Sequence, residues 1–191
     1  MKSHAKSSVE EAIAIAKKLK LVPIPTEGGY FNESFRSKET MPKPEQLGGG
    51  LRAVVTVIYF MLFRDFNTMH RMGTNEVWTH HSGSTLTLYQ LREDGTLITH
   101  KLGNVLEAAE NRPQVVIDAG CWMASELERP DDYVLVSCTV APGFEPNDSH
   151  FPNRDVMCEK YPQHRDLFMR LVRVKANSAD PDMSYMSPPL V

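Results

Sequence analysis

A chain of 191 residues, 41% hydrophobic and 24% charged, has ordinary globular composition and enough length for one domain with a sizeable core. A formal charge of -3 with no long basic run argues against nucleic acid as a partner, and no apolar stretch approaches the ~18 residues of a membrane span. The N-terminus has no apolar signal core, and three cysteines (Cys121, Cys138, Cys158) without a C-x-x-C pair suit a reducing, cytoplasmic compartment.

Residues 8–21 read as a helix. Ser7 or Ser8 can cap it, Glu10 and Glu11 suit its positive end, and apolar residues recur at helical spacing. Pro23 and Pro25 stop it. After the paired glycines Gly28 and Gly29, Phe31, Glu33 and Phe35 alternate with Asn32, Ser34 and Arg36, an edge-strand pattern. In a regular strand Glu33 and Arg36 fall on opposite faces, as solvated charges. Residues 40–50, with two prolines and three consecutive glycines, are a loop or a flap. Residues 53–63 form a continuous apolar run, a buried strand.

The stretch 70–83, H-R-M-G-T-N-E-V-W-T-H-H-S-G, sits between two β-prone segments. In a strand, residues two apart face the same side. His70 and Met72 then point together, and Glu76, Trp78 and His80 share one face while Val77, Thr79 and His81 share the other. Leu86, Leu88 and Gln90 alternate with Thr87, Tyr89 and Leu91. Glu93-Asp94-Gly95 signals a hairpin turn into a strand over 96–102. Residues 113–122 give a strand and a turn, 132–140 another buried strand, and 165–173 a helix. The tail from Ala176 has no periodicity. Many short strands with regular turns, flanked by helices at both ends, indicate an all-β antiparallel barrel of two sheets.

The spacing of His70, Glu76 and Gly83 resembles part of the first cupin motif, G-x5-H-x-H-x3,4-E-x6-G. The wider sequence resembles the cupin family of domain of unknown function 985. The matching pieces are E-G-G-Y-F-N-E-S-F-R-S (27–37), V-I-Y-F-M-L (57–62), H-R-M-G-T-N-E-V-W (70–78), L-G-N (102–104), P-Q-V-V-I-D-A-G-C-W (113–122), C-T-V-A-P-G-F (138–144) and Y-P-Q-H-R-D-L (161–167). The resemblance implies a jelly-roll, double-stranded β-helix barrel like that of the RmlC-type epimerases. It also implies a pocket at the barrel mouth and, commonly, a homodimer. One domain over 1–174 and an irregular tail over 175–191 are expected.

Metal cupins hold their ion with two histidines and the glutamate of the first motif and a histidine of the second. Here those positions carry His70, Met72, Glu76 and Met123. Thioethers are soft ligands and do not share the ions that imidazole and carboxylate usually hold. His80 is no substitute, because four residues of strand put it ~13 Å from Glu76. No metal or other cofactor is therefore expected, any weak divalent ion falling on His70 and Glu76.

The fold admits several functions. The reading taken here is a small-molecule-binding cupin with a carbohydrate or nucleotide-sugar-like ligand and epimerase- or isomerase-type acid–base chemistry. His70, Glu76, His80 and Tyr133 are its catalytic candidates. Glu33, Arg36, Trp78, Gln114, Trp122 and Phe144 are its ligand-binding candidates, with Gln114, Trp122 and Tyr133 forming the cavity's far wall. The alternatives are a metal-dependent oxygenase or decarboxylase with an incomplete ligand set, and a non-enzymatic binding or storage protein.

Overall fold

The computed structural model describes residues 2–43, 45 and 49–174, with side chains from Ser8 onward. The tail expected after 175 and part of the loop over 40–50 lie outside the described residues.

Helix α1 (Lys2–Leu19) is longer than the 8–21 expected. It begins before Ser7 and Ser8, so neither serine caps its start, and the Ser8 hydroxyl instead donates to the Asp131 carbonyl at 3.4 Å. Its end is closed by Lys20 in the left-handed region (φ 53°) and by Leu21 N–H donating to the Ala16 carbonyl at 2.9 Å.

The strands follow: β1 (Val22–Pro23), β2 (Tyr30–Arg36), β3 (Thr40–Pro42), β4 (Leu51–Ala53), β5 (Thr56–Phe63), β6 (Phe66–Met72), β7 (Glu76–Gly83), β8 (Leu86–Leu91), β9 (Leu97–Leu102), β10 (Gln114–Ile117), β11 (Trp122–Leu127), β12 (Tyr133–Val140) and β13 (Ser149–His150). Helices α2 (Arg154–Lys160) and α3 (Arg165–Leu171) complete the chain. The run expected as one strand over 53–63 breaks at Val54 and Val55, because β4 turns away to pair with β3. Helix α2 was not expected. Its clearest sequence signal is Asn153, whose side chain accepts from the N–H groups of Asp155 and Val156.

Two antiparallel sheets face each other, in the orders β1-β2-β5-β12-β7-β10 and β13-β6-β11-β8-β9; this is the jelly roll expected. Burial follows the period-2 pattern. Phe60, Leu62, Trp78, Val136, Cys138 and Val140 of the first sheet meet Met72, Leu86, Leu88 and Met123 of the second in the central core. The outer face of the first sheet is covered by α1, where Ala12 and Ala16 pack on Tyr30, Met61, Phe63 and Tyr133. The outer face of the second is covered by α2 and α3, where Phe168 and Leu171 pack with Met69, Leu91 and Ala124. Helices on the outside and side chains filling the inside leave the ends of the barrel as the places for a site.

Candidate functional site

His70 and Glu76 come from facing sheets. His70 is in β6, 4% exposed, and its register partner on β11 is Met123, an inner-core residue. Its Nδ1 lies 2.8 Å from the Thr68 carbonyl oxygen. A carbonyl only accepts, so Nδ1 carries a proton, and in the neutral tautomer the lone pair is on Nε2. Glu76 opens β7 opposite Val140, and Trp78 follows on the same face opposite Cys138. Burial pushes the Glu76 carboxyl above the ordinary carboxylate range. His70 opposes that shift, Glu27 adds to it, and the nearby Cys138 thiol and Trp78 indole oppose it. Burial, then the Glu76 carboxyl, push the Cys138 thiol well up, so it is a poor nucleophile.

Several polar atoms on the inner walls have no partner at hydrogen-bond geometry among the described residues: Glu76 Oε2 and Trp78 Nε1, whose side chains lie close together on one sheet, and Asn67 Oδ1 and Ser125 Oγ on the other. Ser125 pairs in register with Leu88 of the inner core and with Asn67, which fixes both on the inner face. All four residues are at least nine-tenths buried. Buried polar groups are nearly always partnered, so these four atoms are points where ordered water or a ligand would bond.

Three residues at this site were not expected. Glu27 enters from the segment that closes the gap between the sheets. Its carbonyl accepts from Thr68 N–H at 2.7 Å and its Oε1 from Ser149 Oγ at 3.4 Å. Two consecutive left-handed glycines follow it, and a Cβ on Gly29 would stand 2.8 Å from the Met61 carbonyl oxygen and the Phe60 ring. That glycine pair was the available signal: close backbone approach holds the glutamate where it is. Ser149 also lies 3.3 Å from Met72 Sδ. Phe151 sets its ring 6.2 Å from the His70 ring, and nothing in its sequence surroundings marks it out.

The other expected site residues divide. Glu33 and Arg36 are not on opposite faces: a β-bulge between Glu33 and Phe35 inserts a residue, and the two form a two-pronged ion pair at 2.9 and 2.7 Å. Arg36 also donates to the Phe144 carbonyl at 3.0 Å, and Phe144 packs against the inner core, so these three do meet at the mouth. Gln114, Trp122 and Tyr133 do not face the barrel interior. Gln114 pairs with Thr79 on the outer face and donates to its hydroxyl at 3.3 Å. Trp122 packs toward the helix-covered side, under the Arg71 guanidinium at 4.8 Å. Tyr133 lies beneath α1 and donates to Glu11 Oε2 at 3.2 Å. In each case strand parity decides: Val115, Met123 and Val134, one position along, take the inner places. His80 is on the inner face but lines a separate cleft at the far end of β7.

The two facing antiparallel sheets form the jelly-roll architecture of the cupins. The chain belongs to the cupin superfamily, in the family Cupin_5 (DUF985), whose model matches residues 13–152. It is similar to a protein of solved structure from Shewanella oneidensis, with 32% identity and a TM-score of 0.75 over 85% of this chain and 97% of that one. A hypothetical protein from Leishmania major gives 28% identity and a TM-score of 0.74, over 83% and 97% of the two chains. A cupin-2 domain from Rhodospirillum rubrum, 11% identical with a TM-score of 0.51 over 80% of this chain and 89% of that one, shares the fold. No curated protein matches the sequence.

Many cupins hold a metal, and the residues here do not fit one of the usual kind. Two of the four ligand positions are the buried thioethers Met72 and Met123. Among the described residues no three His, Cys, Asp or Glu side chains converge to hold an ion. No helix among the described residues is long and apolar enough to cross a membrane.

Proposed function

We propose that the domain over 1–174 binds a small, uncharged, polyhydroxylated molecule of the carbohydrate class inside the barrel, with His70 and Glu76 as a proton-transfer couple for isomerase- or epimerase-type chemistry. The observation that carries this reading is the set of unpartnered atoms on the two inner walls, Asn67 Oδ1, Ser125 Oγ, Glu76 Oε2 and Trp78 Nε1. Acceptors, a hydroxyl and one indole donor at four points suit a ligand bearing several hydroxyls, and the Trp78 and Phe151 rings give it apolar surface. His70, with its proton on Nδ1, offers Nε2 as the base. Glu76, held toward its protonated form by burial, offers the acid. Glu76 takes the acid role first expected of Tyr133, which stands outside the barrel beneath α1.

A nucleotide sugar fits less well than a free sugar. The cations at the mouth that a diphosphate would need, Arg36 and Lys43, are each already held at 2.7 Å by a carboxylate, Glu33 and Glu145. We also propose a homodimer, because β1 covers only Tyr30 and Phe31 of β2 and leaves the rest of that edge, with Phe35 52% exposed, open to a partner strand.

The test is a thermal-shift and NMR screen of monosaccharides and nucleotide sugars against wild type, His70→Gln and Trp78→Phe. Free sugars should stabilise the wild type and lose that effect in both variants. Turnover should appear as deuterium uptake from D2O at the sugar carbon that loses its proton. A crystal structure in which ordered water alone completes the four atoms, with no sugar shifting the melting temperature, would overturn the reading. Deuterium-free binding would reduce it to a non-catalytic binding protein.

A further inference from the structure

Strand β6 is irregular just before His70. His70 pairs with Met123 and Asn67 with Ser125, so two residues of β6, Thr68 and Met69, stand opposite Ala124 alone. This is a β-bulge, and bulges beside a site re-aim the groups they carry. Thr68 is buried and has no register partner on β11 or β13. Its polar groups bond elsewhere. Its N–H donates to the Glu27 carbonyl at 2.7 Å, and its carbonyl accepts from the His70 Nδ1–H at 2.8 Å. Its hydroxyl donates to the Leu171 carbonyl at 3.0 Å and accepts from Arg173 N–H at 2.9 Å. One residue thus joins the end of α3 to the His70 ring and to the segment that carries Glu27.

The chain leaving α3 is itself clamped. Arg173 Nη2 donates to Asp65 Oδ1 at 2.5 Å and to the Phe66 carbonyl at 3.0 Å, and the guanidinium carbon lies 4.2 Å from the centre of the Phe66 ring. Asp65 Oδ2 accepts from Gly29 N–H at 3.2 Å, two residues after Glu27. We infer that Thr68 is a positioning residue for His70, and that through it residues 171–173 set the tautomer and the aim of the ring. The inference rests on the reading of His70 and Glu76 as a proton-transfer couple. A histidine base needs its lone pair on the nitrogen that faces the substrate, and the bond made by the other nitrogen decides which one that is. Here that bond goes to the carbonyl of a bulge residue. Its place is fixed by Glu27 and by the end of α3 rather than by a ladder partner. Valine at this position would keep the shape of threonine but would strand the Leu171 carbonyl and the Arg173 N–H, and the end of α3 would release the bulge.

The test is the long-range 1H–15N spectrum of the histidine rings in the full-length protein, taken without sugar at a pH where the His70 ring is neutral. His70 signals are assigned by their loss in His70→Gln. In the wild type Nδ1 should read as the protonated, pyrrole-type nitrogen and Nε2 as the pyridine type. Thr68→Val should move each toward the other type, the ratio of Nδ1–H to Nε2–H forms falling about fivefold, as loss of one ordinary hydrogen bond does. Thr68→Ser, which keeps the hydroxyl, should restore the wild-type spectrum. Arg173→Gln should shift the signals in the same direction, and it decides alone if Thr68→Val does not fold. Arg170→Gln cuts the other tie of α3, to Glu126 at 3.0 and 2.9 Å, and should leave the His70 signals in place. A wild-type His70 with its proton on Nε2 would overturn the proposal. So would unaltered signals in Thr68→Val and Arg173→Gln, or an equal shift in Arg170→Gln. Absence of sugar turnover with the expected shifts present would count against the proton-transfer reading alone.

Discussion

Two buried ionisable groups lie near the end of the barrel where β12 runs into the 141–148 loop, and the protein treats them in opposite ways. Arg52 is fully buried and fully partnered: it ion-pairs with Asp148 and donates to the Gly143 carbonyl, while Asp148 also accepts from Glu145 N–H at 2.8 Å. Glu76 is also buried, yet one carboxylate oxygen has no partner among the described residues and burial pushes the group toward its neutral form. The first is a strut that fixes the loop carrying Phe144. The second is a polar group kept at a cost, and such groups belong to sites more often than to scaffolds.

The largest effect expected is on the strut. Arg52→Met should destabilise the fold by about 3–5 kcal/mol in urea titration, because it strands the Asp148 charge without water or a partner. Adding Asp148→Leu should recover most of that loss, since it removes the stranded charge. A single-variant loss below about 1 kcal/mol would put Arg52 and Asp148 in the class of weak surface pairs and end the contrast.

Glu76→Gln should act in the other direction, raising stability on the order of 1–2 kcal/mol at pH above the folded Glu76 pKa, where it removes a buried charge. The pH dependence gives the sign. The folded chain holds the Glu76 proton to higher pH than the unfolded chain does. Wild-type stability from this group is thus full below the unfolded carboxylate pKa of about 4.3 and is lost as pH rises through the higher folded value. The gap between variant and wild type should widen over that rise. A gap that narrows with increasing pH would mean that the carboxylate is well partnered after all.

The barrel could be read from the sequence because alternation is a local property. The β7 pattern of Glu76, Trp78 and His80 inward survives in the structure, and the hairpin at Gly95 falls where Asp94-Gly95 put it. What failed was parity at strand ends. Gln114, Trp122 and Tyr133 are each the first residue of a strand, where one residue of uncertainty in the boundary exchanges inner and outer faces. The bulge at Ser34 failed for a related reason, because an inserted residue leaves no mark in a seven-residue pattern. Asn67 and Ser125 were legible only jointly: Ser125 shares the parity of Met123, but its neighbour on β6 is known only once the register is. Glu27 needed the tertiary fact that its segment closes the barrel.

Tyr133→Phe separates the two regions at a smaller scale. It removes the bond to Glu11 beneath α1, worth about 1 kcal/mol, and should leave sugar binding and any deuterium exchange unchanged. Loss of exchange with unaltered stability would return Tyr133 to the catalytic couple and contradict its placement on the outer face.

The smallest effect expected is at the mouth. Arg36 and Glu33 pair with good two-pronged geometry, but their side chains are 42% and 35% exposed, so water already serves both charges. Glu33→Gln alone should therefore cost no more than about 1 kcal/mol. Its value lies in what it releases. With Glu33 neutral, the Arg36 guanidinium keeps its bond to the Phe144 carbonyl and gains freedom to meet an anion at the entrance. If the pairing is what turns a diphosphate away, Glu33→Gln should raise the affinity for a nucleotide sugar relative to the free sugar, measured by competition in the thermal-shift screen. An unchanged ratio would place the discrimination deeper, among the orphaned atoms of the barrel wall, and would leave the ion pair as a local brace for the bulged end of β2.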